Sequence, residues 1–160
     1  RARLETRRAG ENAVLVRGVI QDILGAAAPG RMGGDAPLRE VLALAAREIE
    51  SNLKDAPDAQ AAVQLTIGDT YRRLLMLPEA EGHLRLALER FARVHGTELD
   101  TAQCLEVLGQ VLAAQTRPEA IAVQEEALRI RAERLDPADP RLAASRRAAC
   151  AAVASFGQLQ

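Results

Sequence analysis

Apolar positions recur at helical spacing along most of the chain, and one stretch repeats. In residues 61–100, Ile67-Gly68 is followed by Tyr71, then Glu79-Ala80, Leu84 and Ala87-Leu88. Further on, Leu108-Gly109 is followed by Leu112, then Glu119-Ala120, Gln124 and Ala127-Leu128. The offsets are 109−68 = 41 and 120−80 = 40, so one residue is lost between the two halves of the second copy. Each copy reads as two helices joined by a tight turn, and a repeat of this length predicts stacked helical hairpins. The fold class is all-α, a right-handed α-solenoid of about seven helices.

In chain order, residues 1–24 read as one helix whose stripe is Val16, Val19, Ile20, Ile23 and Leu24. Its start carries Arg1, Arg3, Arg7 and Arg8 with Glu5 and Glu11, which suits either a solvated helix end or a linker helix from an upstream segment. A Gly-rich connection spans 25–35, and a second helix over 37–54 buries Leu42, Ala45, Ala46, Ile49 and Leu53. Shifted by 42, Leu42, Ala45 and Ile49 coincide with Leu84, Ala87 and Phe91, so residues 1–57 form an atypical capping repeat. Residues 58–157 then hold two full repeats and a half repeat, and 158–160 are a tail.

Asp58 is the expected N-cap of the first full repeat, with Val63, Ile67, Tyr71 and Leu74 on one face of its first helix. Gly68 fits there if a neighbouring helix comes close. Pro78 starts the second helix, striped by Ala80, Leu84, Ala87, Leu88 and Phe91, and Gly96 closes it. The second repeat begins near Asp100-Thr101, turns at Arg117-Pro118, and carries Gln124 and Arg131 where the first has Leu84 and Phe91. Those two polar residues put the packing of that helix in question. Asp139 or Pro140 opens the last helix, with Leu142, Ala149 and Val153 apolar and Arg146 and Arg147 on its wet face.

Composition narrows the function classes. With 48% hydrophobic residues in 160, the chain can bury a core, and with 2% aromatics and no Trp that core must be aliphatic and Ala-rich. A formal charge of −1 gives no general attraction to nucleic acid or to an anionic membrane, so neither is expected as a partner. No apolar run reaches membrane-spanning length and no signal-peptide pattern occurs. The first residue is Arg1 within a helical pattern, so the chain reads as a piece of a longer protein. Which side of a membrane it occupies, if its parent has one, stays open. Cys104 and Cys150 lack metal-ligand spacing and read as buried free thiols.

Catalytic chemistry finds no foothold. His83 and His95 are the only histidines and belong to no metal-binding pattern. Glu48 with Glu50, and Glu125 with Glu126, sit beside basic residues as solvated faces. The glycines at 30, 33 and 34 are followed by Asp35-Ala36-Pro37, not by the Lys-Ser/Thr of a phosphate loop. The expectation is a non-enzyme with no cofactor, no metal and no catalytic residue.

Ile67-Gly68, Tyr71, Ala80 and Ala87 resemble the tetratricopeptide repeat, in its longer kinesin-light-chain-type form with a connection such as Leu135-Asp136-Pro137-Ala138-Asp139-Pro140. The run AAAPGRMGGDAPLREVL at 26–42, leading into a repeat, resembles the region downstream of the kinase domain in some bacterial serine/threonine protein kinases. The kinase's own motifs are absent from this sequence. The resemblance implies a protein–protein interaction module from a bacterial signalling protein, with a concave groove built from the first helix of each repeat. The family's groove positions fall on Ala62, Leu65, Asp69, Arg72 and Arg73, on Gln103, Glu106 and Gln110, and on Arg147. Arg72, Arg73 and Arg147 have the chemistry to hold a carboxylate, and ordinary solvated arginines are the plainer reading. The chaperone-tail clamp of some relatives needs Lys and Asn where Leu65 and Asp69 stand, so that ligand is not implied. The alternatives are a structural segment that self-associates through the last helix and, behind it, a small-ligand sensor.

Overall fold

The computed structural model describes residues 56–157, together with Arg47 and Leu53. Five helices follow one another: α1 (Pro57–Arg73), α2 (Leu77–Phe91), α3 (Glu98–Ala114), α4 (Glu119–Arg134) and α5 (Pro140–Gly157). No strand occurs among the described residues. The two earlier helices expected over 1–24 and 37–54, the connection 25–35 and the tail 158–160 lie outside the described residues, apart from exposed Arg47 and buried Leu53. Each helix packs on its neighbours in sequence, while α1 also touches α3 and α3 touches α5. The first helices thus form one layer and α2 and α4 the other, an all-helical solenoid.

The hairpin turns are the same motif twice. After α1, Leu75 N–H donates to Arg72 O and Met76 N–H to Tyr71 O. After α3, Thr116 N–H donates to Ala113 O and Arg117 N–H to Leu112 O. These paired bonds are those of a Schellman cap, which turns the chain through one left-handed residue. That residue is Leu75 at φ 58° and Thr116 at φ 56°, neither of them glycine.

Several helix ends differ from the sequence expectation. Asp58 is not the N-cap of α1: Ala56 is, Pro57 occupies the first helical position, and Asp58 lies in the first turn. Proline's fixed φ and missing N–H favour that position. Gly96 does not close α2, which ends at Phe91. Residues 92–97 form a turn in which Gly96 adopts φ 83° and the buried Thr97 hydroxyl reaches Phe91 O (3.2 Å) and Val94 O (3.1 Å). The second repeat therefore starts at Glu98 rather than near Asp100-Thr101. At the last helix Asp139 does cap, its carboxylate accepting from Arg141 N–H at 2.8 Å.

Close helix approach rests on small residues. Ala80, Ala87, Ala120 and Ala127 are fully buried. A Cβ built on Gly68 would lie 2.7 Å from Leu84 Cγ, and one on Gly109 would lie 2.7 Å from Gln124 Cδ. Both lie inside van der Waals contact, so glycine sets how closely α2 and α4 approach their partners. His83 is a packing residue, stacked on Tyr71 with centroids 5.2 Å apart and with Nδ1 2.6 Å from Gln64 Oε1.

Gln124 and Arg131 are both buried and do not disrupt α4. Gln124 Nε2 donates to Glu106 O at 3.0 Å. Arg131 pairs with the Glu106 carboxylate and donates to Ser145 Oγ at 2.6 Å. Ser145 is fully buried on α5, beside Leu142, Ala149 and Ala152. Two expectations for α5 need correction: Val153 is 48% exposed and Cys150 is exposed, because no described element covers that face. Cys104 is buried as expected, its thiol 3.4 Å from Leu84 O.

Candidate functional site

The groove between α1 and α3 follows from helical periodicity. Steps of three and four residues carry α1 through Leu65, Thr66, Asp69, Thr70 and Arg73 on one face, and a step of four carries α3 from Gln103 to Val107. These seven residues line a depression of about 390 Å³. Leu65 is nearly buried and ties the floor to the core, with half-buried Val107 packed against the same cluster.

Polar groups are fixed within it. Arg72 Nε donates to Asp69 Oδ1 at 2.8 Å and Arg73 Nε to Asp69 Oδ2 at 2.8 Å, so both carboxylate oxygens are engaged. Partial burial pushes the Asp69 carboxyl up, but the hydrogen bonds from Arg73 and Arg72 outweigh it and hold the group below its ordinary range. The Arg73 side chain is 72% exposed against 29% for Arg72, so Arg73 offers most of its donors to the groove. Thr66 donates its hydroxyl to Ala62 O (3.0 Å) and Thr70 to Thr66 O (2.9 Å), which turns their remaining oxygen lone pairs toward acceptor duty. The far end of α1 is acidic. At the start of α3, burial and the nearby Asp58 charge raise the Asp100 carboxyl.

Of the sequence-predicted groove residues, the structure brings Leu65, Asp69, Arg73 and Gln103 into one depression, and Arg72 joins through Asp69. Gln110 is exposed on α3 outside it, and Ala62 is half-buried and supplies the carbonyl for Thr66. The Glu106 carboxylate turns instead to Arg131 and Ser145. Arg147 is exposed on α5, beyond the helices that line the depression. Thr66, Thr70 and Val107 were missed, although helical steps from Asp69 and Gln103 reach all three.

The opposite layer carries a ring of charges. Arg85 donates to Glu81 (2.9 Å) and Glu119 (3.0 Å), and Arg117 donates to Glu81 (2.8 Å) and Glu119 (2.6 Å). The ring bridges α2 to the start of α4, and its exposure limits each pair to well under about 1 kcal/mol. Among the described residues no group of three or more His, Cys, Asp or Glu could hold a metal ion, and no helix is long and apolar enough to cross a membrane.

No curated protein matches the chain. Residues 59–133, which run from the first turn of α1 to the last turn of α4, match the family model described as Tetratricopeptide repeat. Repeats of this kind generally mediate protein–protein interaction, and their helical fold is typically non-catalytic. Over that stretch, which is under half of the chain, the hairpins α1–α2 and α3–α4, with Gly68 under Leu84 and Gly109 under Gln124, are similar to tetratricopeptide repeats.

Proposed function

We propose that this chain is an interaction module that binds a segment of a partner protein in the α1–α3 groove. The observation that carries it is the convergence of Leu65, Asp69, Arg73 and Gln103 on one depression of about 390 Å³. An apolar floor, threonine oxygens and a half-satisfied guanidinium suit a peptide that lays an apolar side chain on Leu65 and Val107 and offers a carboxylate to Arg73. Arg72 has the role of holding Asp69, and so of aiming Arg73. Gln110 and Arg147 extend the contact along the first-helix layer.

The run at 26–42 supports placing the module in a larger bacterial signalling protein such as a serine/threonine kinase, with residues 1–57 as its irregular capping repeat and 58–157 as the repeats proper. The full open reading frame tests this: an upstream kinase domain is the expected finding, and a frame without one removes it. The groove itself is tested by capture of a partner from the cognate cell extract with wild-type chain and with Arg72→Ala plus Arg73→Ala. Loss of the captured protein is expected. Undiminished capture removes the two arginines from the site.

A further inference from the structure

The α1–α3 depression offers one cation amid a surplus of acceptors. Among the described residues that line it, Arg73 is the one cation. Its Nε is committed to Asp69 Oδ2 at 2.8 Å, which leaves the terminal nitrogens of an exposed guanidinium for one carboxylate in forked geometry. Arg72 stands behind Asp69, its Nε donating to Asp69 Oδ1 at 2.8 Å. The α1 neighbours of Arg73 only accept. Thr66 and Thr70 spend their hydroxyl hydrogens on Ala62 O (3.0 Å) and Thr66 O (2.9 Å). Burial raises the Asp69 carboxyl, but hydrogen bonds from Arg73 and Arg72 hold it below its ordinary range, so it is ionised at neutral pH.

The same helix faces carry further carboxylates. Steps of three and four lead back along α1 from Leu65 through Ala62 to Asp58, and a step of three leads back along α3 from Gln103 to Asp100. Asp100 feels the charge of Asp58, so the two lie near one another across the helices. The helix dipoles offset this pair by only about half a charge at each amino terminus, so the carboxylates prevail. Asp58 precedes Asp69 by 69−58 = 11 residues on α1. That is about 16 Å, the reach of about five extended residues.

Charge decides what such a groove turns away. Asp69, Arg72 and Arg73 together carry one positive charge. A first ligand carboxylate on Arg73 uses it. A second, two residues along an extended segment and so on the same side, meets Asp69 and the threonine oxygens and finds no donor. Held about 6 Å from Asp69 near the protein surface, it lowers affinity about tenfold after salt screening.

We propose, resting on the peptide-groove reading above, that Asp69 is the specificity-determining residue of the groove: it admits a segment with one isolated carboxylate for Arg73 and a basic residue toward Asp58 and Asp100, and it turns away runs of acidic residues.

The probe is a displayed library of random peptides selected on the full chain. Peptides whose binding is lost on Arg72→Ala plus Arg73→Ala are the groove ligands. They are expected to carry a single Asp or Glu with a Lys or Arg about five residues to one side. This composition is read on the wild-type chain alone. In one such peptide, a second Glu two residues from the carboxylate is expected to weaken binding to the wild type about tenfold. On Asp69→Asn, which keeps the side-chain shape and removes its charge, the added Glu is expected to cost little, and on Asp69→Glu the penalty is expected to remain. Each chain is compared by the ratio of the two peptides, which a loss of folded protein does not move. Groove ligands built on acidic runs, or an added Glu that costs the same on Asp69→Asn as on the wild type, overturn the proposal and leave the groove in place. If no selected peptide depends on the two arginines, the groove reading fails and the role of Asp69 falls with it.

Discussion

At the scale of single residues, backbone conformation decides more than side-chain type. Thr116 and Leu75 hold positive φ values of 56° and 58° in the two hairpin turns. A left-handed residue with a Cβ costs about 1–2 kcal/mol, and a β-branched one is the poorer fit. Thr116→Gly is therefore expected to raise stability by about 1 kcal/mol in urea denaturation, with Leu75→Gly giving a smaller gain, and no gain from either would mean the turns are not under strain. The helical glycines divide the opposite way. Gly82 has nothing within 4 Å of an added Cβ, so Gly82→Ala is expected to gain about 0.5–1 kcal/mol from helix propensity alone. Gly68→Ala meets Leu84 at 2.7 Å and Ala80 O at 3.3 Å. Overpacking of about 1–3 kcal/mol outweighs the propensity gain there, and a lowered melting temperature beside a raised one for Gly82→Ala is the outcome to look for.

At the scale of helices, much was legible in the sequence because helical periodicity is local. Ala80, Ala87 and Gly68 are where the 3.6-residue repeat puts them, and each is buried against a neighbouring helix. What periodicity could not reveal was whether buried polar groups have partners, since those lie on other elements. Gln124 finds its acceptor 18 residues back in sequence, and Arg131 shares Glu106 with Ser145, a pair 39 residues apart. For the same reason Glu106 read as a groove residue when its carboxylate in fact clips α5 to the second repeat. The groove was half legible: Asp69 and Arg73 stood out as charges, while Thr66 and Val107 carry no chemical flag. The clip makes a prediction of its own. Removing one member of a buried pair leaves the other uncompensated, so Glu106→Ala is expected to cost about 2–3 kcal/mol, toward the lower end because Glu106 is partly exposed. Hydrogen exchange should quicken across α5 and the end of α4 and remain unchanged in α1 and α2; uniform quickening would mean that α5 is not separately released.

At the scale of the whole molecule, the array is a line of units, each held by its neighbours, so cooperativity rests on the junctions. The two junctions differ in kind. Phe91 ends α2, 2% exposed, and the corresponding Arg131 lies in the last turn of α4 in a polar cluster with Glu106 and Ser145. An aromatic junction draws its strength from buried area and packing, whereas an ionic one gives back much of its attraction as desolvation. The first hairpin should therefore be coupled to α3 more tightly than α4 is to α5. Phe91→Ala removes a large buried ring, a loss of about 3–5 kcal/mol concentrated at the strong junction. The expected result is a urea transition that broadens or splits, with an m-value below that of the wild type, as α1–α2 and α3–α5 begin to unfold separately. Arg131→Ala should instead leave one main transition and release α5 ahead of it. Should Phe91→Ala lower the midpoint while keeping a single transition of unchanged m-value, coupling would have to run through the Ala- and Gly-lined contacts and the Arg85–Glu119 ring instead of through the ring of Phe91.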